Sequence, residues 1–356
     1  DELAARSLVF ENARAPAPWT LPSTRALVTG RHPERFAVST TLPEPLREQG
    51  WATAFFGGNA FVSASYGLDR GWGLHRADQG VDAAAMVDRG LEWLNAQQGR
   101  DALLMLHFMD PHLPYEEPAS HRTLFAGEPP PAEIATLGES FDRWDVNAAG
   151  ELSTAAREHV IGRYDNNIRY LDDQLARLLG SLRESDLVVF VSDHGEEFWE
   201  HGGCEHGHAL YDELLRVPLL IRAPGLEPGK VDTPVSLMDV MPTILDLLEV
   251  DAPETLGRSL VGLARGERGQ AEIFGERALA FGWPLYGGQR WGAMKAGAKY
   301  LTHVGSEELY DLSSDPGEQS NLLAGKPWAE SAPQRAWLAE ALGRDVRLGF
   351  LAGVQA

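Results

Sequence analysis

The chain has 356 residues, 44% hydrophobic and 23% charged, a composition that excludes a disordered chain and leaves room for one large core with a smaller unit. Lys and Arg number 31 against 52 Asp and Glu, and the formal charge of −21 argues against nucleic acid or an anionic membrane surface as a partner, so an anionic substrate would need a locally positive site such as a metal ion. The single cysteine, Cys204, excludes a disulfide framework and a Cys-rich zinc module, and no apolar run approaches the roughly 20 residues that span a bilayer.

The opening "DELAARSLVFENA" reads as the middle of an amphipathic helix leading into a strand at Leu8–Phe10, so a further N-terminal piece is expected to precede it. In "WTLPSTRALVTG", Pro22 suits the first turn of a helix, and Ser23 and Thr24 can bond free backbone N–H groups there. Thr20 is then expected just off a helix N-terminus, an end that attracts anions. Further strands are expected at Ala52–Phe56, Leu103–Phe108, Leu187–Val191 and Val217–Ile221. The run "LLMLHFMD" has the nearly unbroken apolar character of a strand buried on both faces.

Helical patterns fall between these runs, at Ala83–Gln97 and along "STAAREHVIGRYDNNIRYLDDQLARLLGSL". In the second, Ile161, Tyr164, Ile168, Leu171, Leu175 and Leu178 recur at spacings of three and four and mark one expected buried stripe. The Pro-rich "FAGEPPPAEIATLGES" reads as a surface excursion. Alternating strands and helices predict an α/β fold with a mostly parallel sheet sandwiched by helices. After about residue 265 the texture changes to short strands around Gly turns and a terminal helix, which predicts a catalytic α/β domain over 1–265 and a small antiparallel α+β subdomain over 266–356.

Two expected strand ends collect chemistry. One strand runs into "SDHGEEFWEHGGCEHGHALYDE", where Asp193 and His194 stand at the place ligands occupy in open α/β sheets. Carboxylate and imidazole suit a divalent cation, and His201, His206 and His208 follow closely, so four of the chain's 11 histidines crowd this end. The other strand ends in "MDPHLPY", which places Asp110 and His112 on a loop stiffened by Pro111 and Pro114. Two such ends and a hydroxyl at a helix N-terminus meet the needs of nucleophilic transfer of an anionic group.

At this point the chain resembles the sulfatases of the alkaline phosphatase superfamily over nearly its full length. The resemblance rests on "TLPSTRALVTGRHP", "YGLDRGW", "HFMDPHLPY", "YDNNIRYLDDQL", "VVFVSDHGEEFWEHG", "LYDELLRVPLLIRAPG", "SLMDVMPTILDLL" and "ELYDLSSDPGEQSNL". It implies an alkaline-phosphatase-like fold and a divalent metal ion, with Ca, Mn and Zn as candidates. It also implies an anionic ester substrate, either a small molecule or one linked to a glycan or lipid.

The family signature is Cys or Ser, any residue, Pro, Ser and Arg. Laid on this chain, Thr20 takes the nucleophile position, and Thr24 stands where the Arg is expected, with Arg25 one residue later. Threonine cannot become the formylglycine of sulfatases, whereas related phosphodiesterases and phospho-group transferases use an unmodified Thr, which tilts the expected chemistry toward phosphate esters. The resemblance gives Asp193 and His194 as the metal pair and His112 as a contact to the transferred group or leaving oxygen. A lysine expected four residues before Tyr211 is Gly207, while His208 is retained and His206 can replace the missing cation. The family's other ligands, an Asp pair after the first strand, would precede Asp1.

The expected activity is metal-dependent hydrolysis of sulfate or phosphate esters by Thr20 through a covalent intermediate. Asp193 and His194 hold the metal, His112, Arg25 and His208 assist, and His201 and His206 contact substrate. The alternatives are a phospho-group transferase and a catalytically dead binding domain. By resemblance the location is periplasmic or extracellular, and without its upstream ligands the chain alone is expected to be weakly active or inactive.

Overall fold

The computed structural model describes residues 1–97, 99–137, 152–267 and 269–343. The chain forms two compact units: Asp1–Pro45, Glu184–Glu200 and the described residues from His206 onward make one, and Leu46–Arg183 with His201–Glu205 make the other.

The first unit contains a four-stranded sheet in the order Gly229–Val231, Leu8–Phe10, Leu219–Arg222, Val188–Val191. Leu8–Phe10 runs parallel to Gly229–Val231 and antiparallel to Leu219–Arg222, which is antiparallel to Val188–Val191 with Leu219 opposite Val191. The single strand expected over Val217–Ile221 is two, because Pro218 has no N–H to give to a ladder. Arg216–Val217 pairs with Ala13–Arg14, and Leu219–Arg222 pairs with Leu8–Phe10.

Helix Thr20–Thr29 is buried at every residue except Arg25, so it is an internal helix rather than an amphipathic surface one. It ends at Gly30 in the left-handed conformation, where a side chain would crowd Thr255 and the carbonyl of Met238. The same unit carries the antiparallel sheet Leu279–Gly282, Arg290–Lys295, Ala298–His303, Ser306–Asp311. Its Ala296-Gly297 turn has positive φ at both residues, which matches the twist of a two-residue hairpin. One side of this sheet packs on helix Ala332–Leu342 through Trp291, Tyr300, Leu338 and Leu342, and another cluster joins Phe281, Met294 and Leu301 to Leu210 and Leu215.

The second unit is built on the parallel sheet Leu74–Ala77, Ala52–Gly57, Ala102–His107, covered by helix Ala83–Ala96 through Ala54, Phe56 and Met86. Asp82 caps that helix by accepting from the Ala85 N–H at 2.9 Å. Ala102–His107 is half-buried along its whole length rather than buried on both faces, since it is the edge of its sheet among the described residues.

The long helix Thr154–Gly180 buries a different face from the expected apolar stripe. Ile168 is 42% exposed and Ile161, Tyr164, Leu171, Leu175 and Leu178 are half-buried. The buried positions are Ala156, His159, Val160, Gly162, Arg163, Asn166, Asn167 and Tyr170. Arg163 and Asn166 are buried because they serve backbone groups of the segment 112–126, which periodicity of apolar residues does not register. The Pro-rich excursion contains a short helix, Ala132–Leu137, and its last residues, 138–140, lie outside the described residues, as do residues 344–356 of the expected C-terminal subdomain. No helix among the described residues is long and apolar enough to cross a membrane.

Candidate active site

Thr20 is the first residue of its helix rather than a residue just outside it. Trp19 precedes it in extended conformation, with φ −164° and ψ 164°, and no side chain caps this end. Ser23 does not cap either: its hydroxyl donates to the carbonyl of Asp193 at 2.5 Å and so ties the helix to the loop after strand Val188–Val191. Thr24, one turn after Thr20, is 1% exposed, and its Oγ1 has no hydrogen-bond partner among the described residues.

The loop itself is held by backbone bonds. Ser192 donates its N–H to the Pro218 carbonyl, and Gly195 donates to Leu214 at 2.8 Å. Only glycine fits at 195, because a Cβ there would lie 2.0 Å from the Glu213 carbonyl oxygen. The Gly195 carbonyl lies 2.8 Å from His194 Nδ1. A carbonyl only accepts, so Nδ1 carries the hydrogen and Nε2 of the neutral ring presents a lone pair. That Nε2 lies 3.4 Å from Thr20 Oγ1 and 3.7 Å from Asp193 Oδ2. The fold thus joins Thr20 to His194, 174 residues away.

Two further imidazoles stand in the same unit, each braced by a carboxylate. The His206 ring centroid is 4.2 Å from that of His194, and His206 Nδ1 is 3.0 Å from Glu196 Oε1. His208 Nε2 donates to Glu197 at 2.6 Å, and Glu197 is buried. The opposite nitrogen of His208, Nδ1, is buried and has no hydrogen-bond partner among the described residues. Between the two histidines, Gly207 has φ +84°, and its carbonyl accepts from the N–H groups of Leu285 at 2.7 Å and Tyr286 at 2.9 Å. Glu196 and Glu197 are the residues of this cluster without an assigned role in the sequence reading, and Ser23, expected to cap the helix, instead anchors it to Asp193. The spacing of two Glu before two His was the available signal.

The remaining candidates sit elsewhere. Arg25 is rotated around the helix from Thr20, and its guanidinium lies 4.9 Å over the Phe36 ring, with burial lowering its pKa. His112 and His201 belong to the other compact unit. In that unit His112 Nδ1 faces the Leu113 carbonyl, and burial pushes the Asp110 carboxyl up to about 6. Among the described residues, no group of three or more His, Cys, Asp or Glu is arranged to hold a metal ion.

Residues 1–250 match the family model described as Sulfatase, which is more than half of the chain. The chain belongs to the sulfatase family. Residues 200–336 match a second model, the C-terminal region of N-sulphoglucosamine sulphohydrolase. Among relatives, the uncharacterized sulfatase YidJ of Escherichia coli is 28% identical over 256 residues, covering 68% of this chain, and the chain spans about half of that relative, 51%. Choline-sulfatase of Rhizobium meliloti is 26% identical over 402 residues, covering 90% of this chain and 76% of the relative. The fold is shared with a structure solved in complex with its substrate D-glucosamine-2-N,6-O-disulfate, at TM-score 0.77 and 18% identity over 96% of this chain and 90% of that one. It is shared too with the phosphonate monoester hydrolase of Agrobacterium radiobacter, at TM-score 0.73 and 19% identity over 99% and 90%.

Proposed function

We propose that this sulfatase-family chain hydrolyses anionic esters, of sulfate or phosphate, on a small molecule or glycan, with Thr20 as nucleophile. The observation that carries this reading is the placement of the Thr20 hydroxyl, at a helix N-terminus, opposite the lone pair of His194 Nε2. The helix end offers partial positive charge to the transferred group, and the imidazole offers an acceptor to the hydroxyl proton.

The donor set also fits a divalent cation in part: Asp193 and His194 present a carboxylate oxygen and an imidazole lone pair on the side of Thr20. Those two residues would hold it, and when bound it would acidify the hydroxyl and offset charge on the nonbridging oxygens. The Nε2 lone pair serves one partner at a time.

In the covalent step Thr20 Oγ1 forms a bond to sulfur or phosphorus as the bond to the alcohol oxygen breaks. His208 is suited to return a proton to that oxygen. Glu197 accepts from Nε2–H and stabilises the imidazolium, which carries its second proton on the buried Nδ1. Water then cleaves the ester on Thr20 and releases sulfate or phosphate. An unmodified hydroxyl tilts the chemistry toward phosphate esters.

The test is Thr20→Ala, assayed on para-nitrophenyl sulfate, para-nitrophenyl phosphate and bis(para-nitrophenyl) phosphate. The expected result is a loss of about 10³-fold or more in kcat with an unchanged melting temperature. Undiminished turnover would assign the attack to another group.

A further inference from the structure

Strands Leu279–Gly282 and Arg290–Lys295 are joined by the loop 283–289, which is tied to both sides of the Thr20 site within the first unit. The carbonyl of Trp283 accepts at 2.6 Å from the indole N–H of Trp19, the residue before Thr20. The N–H groups of Leu285 and Tyr286 both donate to the carbonyl of Gly207, between His206 and His208. Because Gly207 has no side chain, Leu285 and the Tyr286 ring close in beside it, where a Cβ would lie 3.3 Å from Leu285 Cβ and 3.6 Å from the ring. Trp283 is the fixed point of the loop. Its ring centroid is 4.7 Å from that of Trp291 and 5.3 Å from that of His32, and its φ of +57° is one that a bulky residue keeps only where its surroundings impose it. Beyond this anchor the loop faces outward, with Leu285 38% exposed and Tyr286 half-buried.

The loop ends in a cation. Gly287 and Gly288 both have positive φ, and the turn brings Arg290 back over the loop, since a Cβ on Gly287 would lie 3.5 Å from Arg290 Nη2 and 3.6 Å from the His208 carbonyl oxygen. Among the described residues the guanidinium makes no hydrogen bond or ion pair, and its Nε is buried. The neighbouring carboxylate, Glu308, is taken by two phenols, as its Oε2 accepts from Tyr211 and Tyr310 at 3.0 Å each. The cavity that Arg290 shares with Tyr211 and Glu308 is about 10 Å³, room for one water, so a larger anion meets the guanidinium from the loop side. In a chain with a formal charge of −21, a half-buried arginine without a counter-charge marks a place for an external anion.

We propose that the segment 283–290 seats the alcohol portion of the ester, with Leu285 and Tyr286 against its apolar face and Arg290 paired to a further anionic group that it carries, as on an acidic sugar. The proposal rests on the reading of Thr20 as nucleophile, which fixes where the ester bond lies. The Tyr286 ring suits the C–H face of a sugar or an aryl ring, and the planar fork of Arg290 suits a carboxylate or a second sulfate.

The experiment measures binding by calorimetry in the Thr20→Ala background, where the ester is not consumed, for meta-carboxy-para-nitrophenyl sulfate and its neutral meta-carboxamide analogue. The carboxylate is expected to bind at least about 5-fold tighter than the amide, a ratio that falls to about 1 in Arg290→Gln and is partly kept in Arg290→Lys. Tyr286→Ala should weaken both probes about 2- to 10-fold and leave their ratio unchanged. A ratio near 1 before Arg290 is altered, or one unchanged by Arg290→Gln at equal melting temperature, would overturn the proposal. So would an Arg290→Gln that lowers the melting temperature and weakens both probes alike, the mark of a brace for the sheet. If Arg290→Gln does not fold, salt decides: pairing to Arg290 predicts a ratio that falls between about 0.05 and 0.5 M sodium chloride, and a constant or rising ratio refutes it. Failure of the underlying reading shows separately, as a Thr20→Ala that consumes the probes as fast as the wild type.

Discussion

The loops 192–208 and 110–126 both leave the end of a strand with an Asp and a His near the start, yet they are ordered in opposite ways. In the first, the side chains serve the site itself. His194 is oriented by the Gly195 carbonyl, His206 by Glu196, and His208 by Glu197. In the second, the backbone is held from outside by helix Thr154–Gly180. Arg163 donates to the Tyr115 carbonyl at 2.7 Å and pairs with buried Glu117, while Asn166 donates to the Arg122 carbonyl at 2.7 Å and accepts from the Phe125 N–H at 2.9 Å. Gly162 lets the segment close in, since a Cβ there would be 2.8 Å from Ala126. A loop organised by its own side chains keeps its function in one stretch of sequence, whereas a loop organised by a helix divides its determinants between two.

The largest expected effect strikes the support of the first loop. Gly195 hangs on Leu214 of helix Asp212–Leu215, and Asp212 at the head of that helix is held by Arg14 at 2.6 Å and Lys299 at 2.9 Å. Burial alone would raise the Asp212 pKa, but Lys299 and Arg14 together overrule it and hold the group down to about 2. Lys299 is fully buried and also pairs with Glu318 at 2.8 Å. Lys299→Met leaves two carboxylates short of a partner and should cost about 3–5 kcal/mol by urea denaturation. A cost below about 1 kcal/mol would show that Arg14 alone supports Asp212.

Asn166→Ala should cost less, about 1–3 kcal/mol, from one acceptor and one donor left without partners. Its hydrogen-exchange signature should be confined to residues 112–126, with the amides of 192–208 unchanged. Faster exchange in both loops would erase the contrast drawn between them.

The smallest effect is a pH slope. Burial, with Asp82 nearby, pushes Asp110 up to about 6, above its unfolded value. Between about pH 4 and 6 the native state therefore binds more protons than the unfolded one, and stability contributed at this residue falls as pH rises. Allowing for partial exposure, the change is on the order of 1 kcal/mol, and Asp110→Asn should remove it from a series of melts across that range.

What could be read from the sequence follows from which forces leave a local pattern. Apolar runs located the strands they marked within a residue or so, although Pro218 splits one of them, and the short strands Ala13–Arg14, Leu74–Ala77 and Gly229–Val231 carry no such run. The strand-end rule pointed to Asp193 and His194, and the helix signal at Pro22 to Thr20, and these three lie together. The buried face of the long helix was illegible because Arg163 and Asn166 are buried through hydrogen bonds to a segment some 40 residues earlier, a reason that hydrophobic periodicity does not encode. Arg25 looked available as a neighbour of Thr24, but one residue is a large rotation around a helix, and Phe36 captures its guanidinium.

The second unit's sequence lies between segments of the first, which has a consequence for how the protein is made. Thr20 meets His194 from 174 positions earlier in the chain, and Glu11, beside strand Leu8–Phe10, is bonded by Arg216, 205 positions later. At ribosomal speeds of about 5–20 residues per second, those partners emerge roughly 10–40 s after the N-terminal segments. The stretch Leu46–Arg183, nearly continuous in sequence, has all but a few of its own residues out of the ribosome before then. Chaperones that shield nascent apolar segments would thus be needed chiefly by Leu8–Phe10 and the buried helix Thr20–Thr29, and shortening the delay by circular permutation should raise the yield of folded protein.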